Sequence, residues 1–500
     1  MNPMLRKIRI ILASVMFTGL LLLFLDFTGT MHHIVGWMPK MQLLEAALAL
    51  NVAVVAVLVV LTLIFGRIYC SVICPLGIMQ DLFGWLGKRS RKRRYTYSRE
   101  VKWLRYPMLV AFIAALALGL GTVVQLLAPY SAFGRIATNV LQPVWQSANN
   151  VLAAIAEYYD SYAFYHSDVW LRSWSSLAIA AVTLIVLAII SWRNGRTYCN
   201  AVCPVGTVLS FFSRFSWFKV CFDTEKCRNC SLCTKNCKAA CIDFKTHSVD
   251  ASRCVVCGDC IEACKFGALS YAHKRTNKQT DNSPGNHTNK KPDASRRTFL
   301  VATTALATTA LAQEAKKTDG GLAEIEDKVA PHRQTPIAPP GSLSVNNLAK
   351  RCTGCQLCIS ECPNEVLRPS TDLLHLMQPT MSYERGYCRP ECNRCSEVCP
   401  AGAIQPIRHE DKVSTQIGHA VWIKKNCLPV INGTPCGNCA RHCPVEAIEM
   451  MPLDIDDDDS PFVPMVNEAR CIGCGACEYL CPARPFSAIY VEGHEVHKEV

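Results

Sequence analysis

Cysteine is the residue whose spacing could do chemistry in this chain. Thirty of the 500 residues are cysteines, and they fall in short regular clusters, unlike the disulfide framework of a small secreted protein. "CRNCSLCTKNC" supplies Cys227, Cys230, Cys233 and Cys237; "CVVCGDCIEAC" supplies Cys254, Cys257, Cys260 and Cys264. Each reads C-x2-C-x2-C-x3-C, the run in which three thiolates hold one 4Fe-4S cubane and the fourth is lent to its neighbour. One cluster is then expected on Cys227, Cys230, Cys233 and Cys264, and another on Cys254, Cys257, Cys260 and Cys237. Zinc also takes four thiolates, but zinc ribbons do not usually need runs this tight, twice. Lys238 and Lys265 stand where a proline usually follows the last cysteine, and their charge would raise the cluster potentials. Cys221 and Cys241 fall outside the pattern and read as inert buried thiols.

Four further groups lie downstream: Cys352, Cys355, Cys358, Cys362; Cys388, Cys392, Cys395, Cys399; Cys427, Cys436, Cys439, Cys443; and Cys471, Cys474, Cys477, Cys481. All end C-x2-C-x3-C-P. The first and fourth open with C-x2-C, the second with C-x3-C and the third with C-x8-C. Disulfides are the competing reading, yet four copies ending in Cys-Pro favour four more clusters, paired in succession. A third pattern is different. "GRIYCSVICPLG" at 66–77 and "GRTYCNAVCPVG" at 195–206 repeat one phrase 129 residues apart. Cys-x-x-x-Cys places two thiols one helical turn apart, and the proline suits a turn or a helix start. Cys70, Cys74, Cys199 and Cys203 are therefore expected as a four-thiolate site, as two redox dithiols, or as a structural cap for a helix bundle.

The elements that must position these groups are apolar. Charged residues make up 18% and apolar ones 50% of the chain, and the apolar excess lies before residue 195. A bilayer core takes about 20 apolar residues in a helix, which Ile10–Leu25, Ala46–Gly66, Tyr106–Gly134 and Ser173–Trp192 supply or approach. Basic residues set the sides: Arg6, Lys7 and Arg9 precede the first span, and "KRSRKRRYTYSREVKWLR" lies between the second and third. Both belong inside the cell. The loop 130–172 has only Arg135 and Arg172 as cations and faces outward, so both repeated phrases fall at inner ends of spans. The net charge of +12 is absorbed by these topology signals, and no basic recognition helix points to nucleic acid.

Residues 273–294 are polar and without apolar period, a linker. "SRRTFLVATTALATTALAQEA" from Ser295 then has the form of an internal twin-arginine export signal, or a fifth anchor, ending in Ala-Leu-Ala. The C-terminal residues beyond this signal would be carried out of the cell already folded. The organisation expected is a four-helix membrane domain with two CxxxCP phrases (1–210), a cytoplasmic two-cluster ferredoxin domain (211–272), the linker (273–294), the signal (295–313), a proline-containing linker (314–350) and a periplasmic four-cluster ferredoxin domain (351–500). The fold class is a membrane α-helical bundle of four spans plus α+β ferredoxin-like polycluster domains. "DIDDDD" at 454–459 reads as a solvated loop, with a docking surface for a basic redox partner as the alternative.

With four spans, both CxxxCP phrases and two cluster motifs, residues 1–272 resemble the NapH and MauN type of membrane polyferredoxin. With "SRRTFL", "PPGS" at 339–342 and four cluster motifs, residues 295–500 resemble the NapG and MauM type of exported ferredoxin. The resemblance implies a quinol dehydrogenase component in a bacterial inner membrane, its C-terminal domain in the periplasm. Six 4Fe-4S clusters, two cytoplasmic and four periplasmic, would pass electrons from the quinol pool to a periplasmic redox protein or reductase. Because the membrane half also resembles the NosR and CcoG polyferredoxins, nitrate is not implied. A quinone site is expected near Asp26, His32 and His33 at the outer end of the first span, where they would accept quinol protons. Two other readings stand beside conduction: a maturation factor that keeps a periplasmic metal or thiol reduced, and a scaffold whose clusters only hold the fold.

Overall fold

The computed structural model describes residues 3–26, 29–91, 95–161, 164–273, 326–457 and 459–499. The expected linker beyond His273 and the twin-arginine segment lie outside these. The described residues up to 273 and from 329 pack as one compact unit.

The first half is helical: α1 (Pro3–Leu25), α2 (Leu43–Leu48), α3 (Val52–Phe65), α4 (Tyr69–Val72), α5 (Pro75–Arg91), α6 (Lys102–Leu118), α7 (Gly121–Leu127), α8 (Pro129–Ile136), α9 (Gln142–Tyr158), α10 (Trp174–Asn194), α11 (Thr197–Ala201) and α12 (Pro204–Ser213). Side-chain caps fix where two of the apolar helices begin: Asn51 accepts from the Val54 amide at the start of α3, and Ser173 from that of Ser176 at the start of α10. Both end at a glycine with positive φ, Gly66 and Gly195, a conformation that an L side chain resists.

Among the described residues, two helices are long and apolar enough to cross a membrane, Arg6–Leu25 within α1 and Trp174–Asn194; Val52–Phe65 and Pro204–Ser213 are apolar but shorter. The expected span Tyr106–Gly134 is not one helix. It breaks at Gly119, φ +73, and again before Pro129, giving α6, α7 and α8. Hydropathy could not show this, because apolar residues continue on both sides of each break.

The cysteine-rich parts are built from short helices and two-stranded antiparallel sheets. Strand 218–222 pairs with 269–273 and closes the first cluster region on itself, Phe218 opposite His273 and Phe222 opposite Leu269. In the second region, 415–422 pairs with 489–499, bulging between Gly493 and Lys498, and 448–452 pairs with 462–466.

The two cysteine-rich regions sit at opposite ends of the same helices. At one end of α1, Arg6 pairs with Asp259 at 3.1 Å; past its other end, Gly29 packs on Arg394. Just before α3, Ala49 touches Gly402, and just after it, Gly66 faces Val256. Ser176 at the start of α10 accepts from Gln356 at 2.8 Å, while Gly195 beyond its end lies against the Lys238 carbonyl. With a rise of 1.5 Å per residue, the 21 residues of α10 separate the two regions by roughly 30 Å.

Close backbone approach makes the second contact tight. A Cβ on Gly134 would stand 2.2 Å from the Cys355 carbonyl oxygen. Gly134→Ala must push α8 away from the second cysteine region, costing about 2 kcal/mol by overpacking. A lowered thermal midpoint and faster proteolytic release of residues 330–500 are expected in detergent; an unchanged midpoint would contradict this packing.

Candidate functional site

Each cluster motif lays its cysteines on a loop and the short helix after it. In the first region Cys227, Cys230, Cys233 and Cys264 line one cavity. Cys260 has Cys257, Cys254 and Cys237 as its electrostatic neighbours. Downstream, Cys352, Cys355 and Cys358 line a cavity with Cys399, and Cys395 neighbours Cys388, Cys392 and Cys362. Cys471, Cys474 and Cys477 line a third cavity with Cys443, and Cys439 neighbours Cys436, Cys427 and Cys481. In all six groups the fourth cysteine comes from the adjoining motif.

No two of the 30 cysteines are joined in a disulfide. Among the described residues, no three His, Cys, Asp or Glu side chains close on one point as ligands of a single ion would. A cubane is wider than one ion, so its thiolates stand further apart. Burial raises several of these thiols, Cys257 and Cys474 to about 12, and there metal binding must itself drive the proton off. Cys241, which the spacing left unassigned, is 1% exposed with its sulfur 3.6 Å from that of Cys237; only folding shows this. Cys221 is half-buried on strand 218–222.

The repeated phrases form a second site. Gly66 and Gly195 turn the chain back between the helices, so the four thiols do not sit at the rim. Tyr69 donates to Gln42 Oε1 at 3.0 Å and accepts from the Leu43 amide at 3.2 Å, next to Glu45, which reaches toward Thr353 in the second cysteine region. Tyr198 donates to the Leu127 carbonyl at 3.3 Å. Cys70, Cys74, Cys199 and Cys203 are each 4% exposed. Cys74 and Cys203 immediately precede Pro75 and Pro204 at the starts of α5 and α12, as proline at a first helical position favours.

The arginine of each phrase serves the other phrase. Arg67 donates to the Cys199 carbonyl at 3.2 Å and to Asn200 Oδ1 at 2.9 Å. Arg196 donates to the Cys70 carbonyl at 2.5 Å and grips Asp81 with two bonds of 2.7 and 2.8 Å. Lys238 joins Asp81 at 3.4 Å and Asp259 at 3.0 Å. Its charge is thus balanced locally, and it pins the first cluster region to α5, a part that the cluster spacing alone did not suggest. Arg135, expected as a loop cation, is instead fully buried in α8, donating to the Gln125 carbonyl and Ser131 Oγ, both at 2.7 Å.

The expected quinone residues divide. Asp26 accepts from the Met31 amide at 2.8 Å. His32 is partly buried, its Nδ1 without a partner, and burial and the nearby Lys40 lower its pKa. His33 is exposed. This corner adjoins Glu361, Arg394 and Glu397, which flank Cys362 and Cys395.

Comparison with known proteins fits this arrangement. The 4Fe-4S binding domain model matches residues 48–94 and 175–220, a second 4Fe-4S binding domain model matches 247–270, and the 4Fe-4S dicluster domain model matches 434–484. The ferredoxin-type protein NapG of Escherichia coli is 30% identical over 207 residues, 38% of this chain and 83% of NapG. The methylamine utilization ferredoxin-type protein MauM of Paracoccus denitrificans is 32% identical over 171 residues, 32% of this chain and 73% of that protein. This chain belongs to the NapG and MauM family of ferredoxin-type proteins. MauM of Methylobacillus flagellatus is 29% identical over 167 residues, 32% of this chain and 70% of that protein. No solved structure matches. Ferredoxin-type electron transfer by multiple 4Fe-4S clusters is thereby assigned to this family member.

Burial alone would raise the Asp81 pKa, but Arg196, then Lys238 and Arg9, outweigh it and hold the carboxyl well below the usual range. Its stabilising contribution is therefore full above the unfolded carboxylate value of about 4 and is lost only as pH falls toward the folded value. Asp81→Asn leaves Arg196 buried without its counter-charge, while Lys238 keeps Asp259, a loss of about 3–5 kcal/mol at pH 7. Thermal unfolding at pH 7 checks it; a variant as stable as the parent would remove this pin from the account.

Proposed function

We propose that this chain joins, in one polypeptide, a NapH- and MauN-like membrane half to its NapG- and MauM-like half. It works as a bacterial inner-membrane relay that draws electrons from quinol and delivers them to a periplasmic redox protein. The observation that carries this is the seating of two cluster regions at opposite ends of one set of helices. The helices α1 and α10 cross the bilayer, α3 and α6 complete four passes, and the twin-arginine segment accompanies the transfer of residues 314–500 to the periplasm.

Six 4Fe-4S clusters supply one-electron conduction, which no side chain can. The two on the first region are held by Cys227, Cys230, Cys233 and Cys264, and by Cys254, Cys257, Cys260 and Cys237. Four on the second region use the successive pairing. The chain's own residues hold the clusters, space them and exclude water. Quinol protons are accepted at the corner of Asp26, His32 and His33, which adjoins the residues flanking Cys362 and Cys395.

Buried thiols weigh against the maturation reading. A factor that reduces a partner's metal or disulfide through Cys70, Cys74, Cys199 and Cys203 needs them within the partner's reach, and each is 4% exposed.

Anaerobic mixing of the purified protein with a quinol analogue tests the proposal. Prompt bleaching of the cluster absorbance is expected, slowed at least tenfold, about 1.4 kcal/mol of barrier, in an Asp26→Asn, His32→Gln, His33→Gln variant. Clusters that stay oxidised under excess quinol would exclude it as donor.

A further inference from the structure

We propose that Cys70, Cys74, Cys199 and Cys203 together hold one further 4Fe-4S cluster inside the helical body, the step between the two cluster regions. Its role as a step rests on the relay reading; its existence does not. The 4Fe-4S binding domain model matches the two halves separately, and each half has one CxxxCP pair. Neither can complete a cubane's four ligands alone. The fold brings the pairs together: Cys74 has Cys199, Cys70 and Cys203 as its electrostatic neighbours.

Charge points to an anionic occupant. Two ferric and two ferrous irons, four sulfides and four thiolates sum to a dianion, which a dry interior tolerates only beside cations. Arg196 is matched by Asp81. The position equivalent to Asp81 in the second repeat is Ser210, and Arg67 has no ion pair among the described residues. Arg67 is fully buried, its Nε has no partner, and its Nη2 lies 3.8 Å from the Cys70 sulfur. The sulfurs already receive the donors that tune such clusters. Gln80 Nε2 is 3.3 Å from Cys199 Sγ, and the Gly206 amide is 3.4 Å from Cys203 Sγ. Among the described residues the four thiols do not close on a single point as the ligands of one zinc ion would.

Position supplies the role. On one side Arg67 donates to the Ser252 carbonyl at 3.0 Å, and Asn200 to the Ala239 carbonyl at 3.2 Å, two residues from Cys254 and Cys237. On the other, Tyr198 neighbours Cys203, Cys199 and Arg135, and Arg135 neighbours Cys355. One electron enters from one cluster region and one leaves to the other, with no bond made or broken.

Iron and labile sulfide are counted in the anaerobically purified full chain and in the Cys70→Ala, Cys199→Ala variant. A loss of about four irons and four sulfides per chain is expected, the remaining paramagnetic resonance signals unchanged. An unchanged count, or parent protein carrying stoichiometric zinc that the variant lacks, overturns the proposal. Should the double variant lose all its iron, Arg67→Gln decides. Loss of that cation is expected to move the midpoint of one signal to more negative potential and leave the rest in place; no signal moving overturns the assignment. Quinol-driven bleaching is scored separately, so the relay reading can fail while this cluster stands.

Discussion

A guanidinium removed from water must be matched by negative charge or by several acceptors, and this constraint organises the helical half. Arg67, Arg105, Arg135 and Arg196 are among the largest fully buried side chains. Arg196 satisfies the constraint through Asp81, and Asp81 through Lys238, so a helix, a repeated cysteine phrase and the first cluster region are held by one ionic knot. Arg67 mirrors Arg196 in sequence but lacks the carboxylate. Its place 3.8 Å from the Cys70 sulfur is what the proposed sharing of one site by the two repeats rests on.

The same economy appears at the opposite end. Gly134 admits the Cys355 carbonyl against α8, and Asn139 in the π-helical turn Ala137–Leu141 donates to Gln356 Oε1 at 2.6 Å. π-turns of this kind often mark functional sites. Arg368 and Arg385 both stand over the Trp170 ring, 4.5 and 4.8 Å from its centroid, which fastens the loop before α10 to the second cluster region. Each cluster region is thus attached by backbone approach and by charge, two interactions that fix distance. Fixed distance is what a chain of one-electron centres requires.

The cysteine groups were legible because thiolate spacing reflects the size of the cubane, whatever surrounds it. The exchange of a fourth cysteine that the spacing leads one to expect corresponds to cavities that hold Cys264 beside Cys227, Cys399 beside Cys352 and Cys443 beside Cys471. Helix starts at Pro75 and Pro204 could be read locally. The path of the chain after Gly66 and Gly195 could not. A phrase that re-enters a bundle has the same apolar composition as one that ends a span, and only tertiary packing reveals Tyr69 beside Gln42. Arg135 misled for a related reason: sequence gives a charge, but not whether Ser131 and the Gln125 carbonyl will fold around it. The third apolar stretch hid two breaks because hydropathy averages over a glycine with positive φ.

Transfer of electrons across a sealed membrane by this one chain is the central claim, and vesicles test it most directly. Purified protein is reconstituted into liposomes with dithionite trapped inside and impermeant ferricyanide outside. The account predicts bleaching of the external ferricyanide in proportion to the protein incorporated, above that of empty vesicles. Bleaching no faster than in empty vesicles, with the clusters on the dithionite side fully reduced, would contradict it.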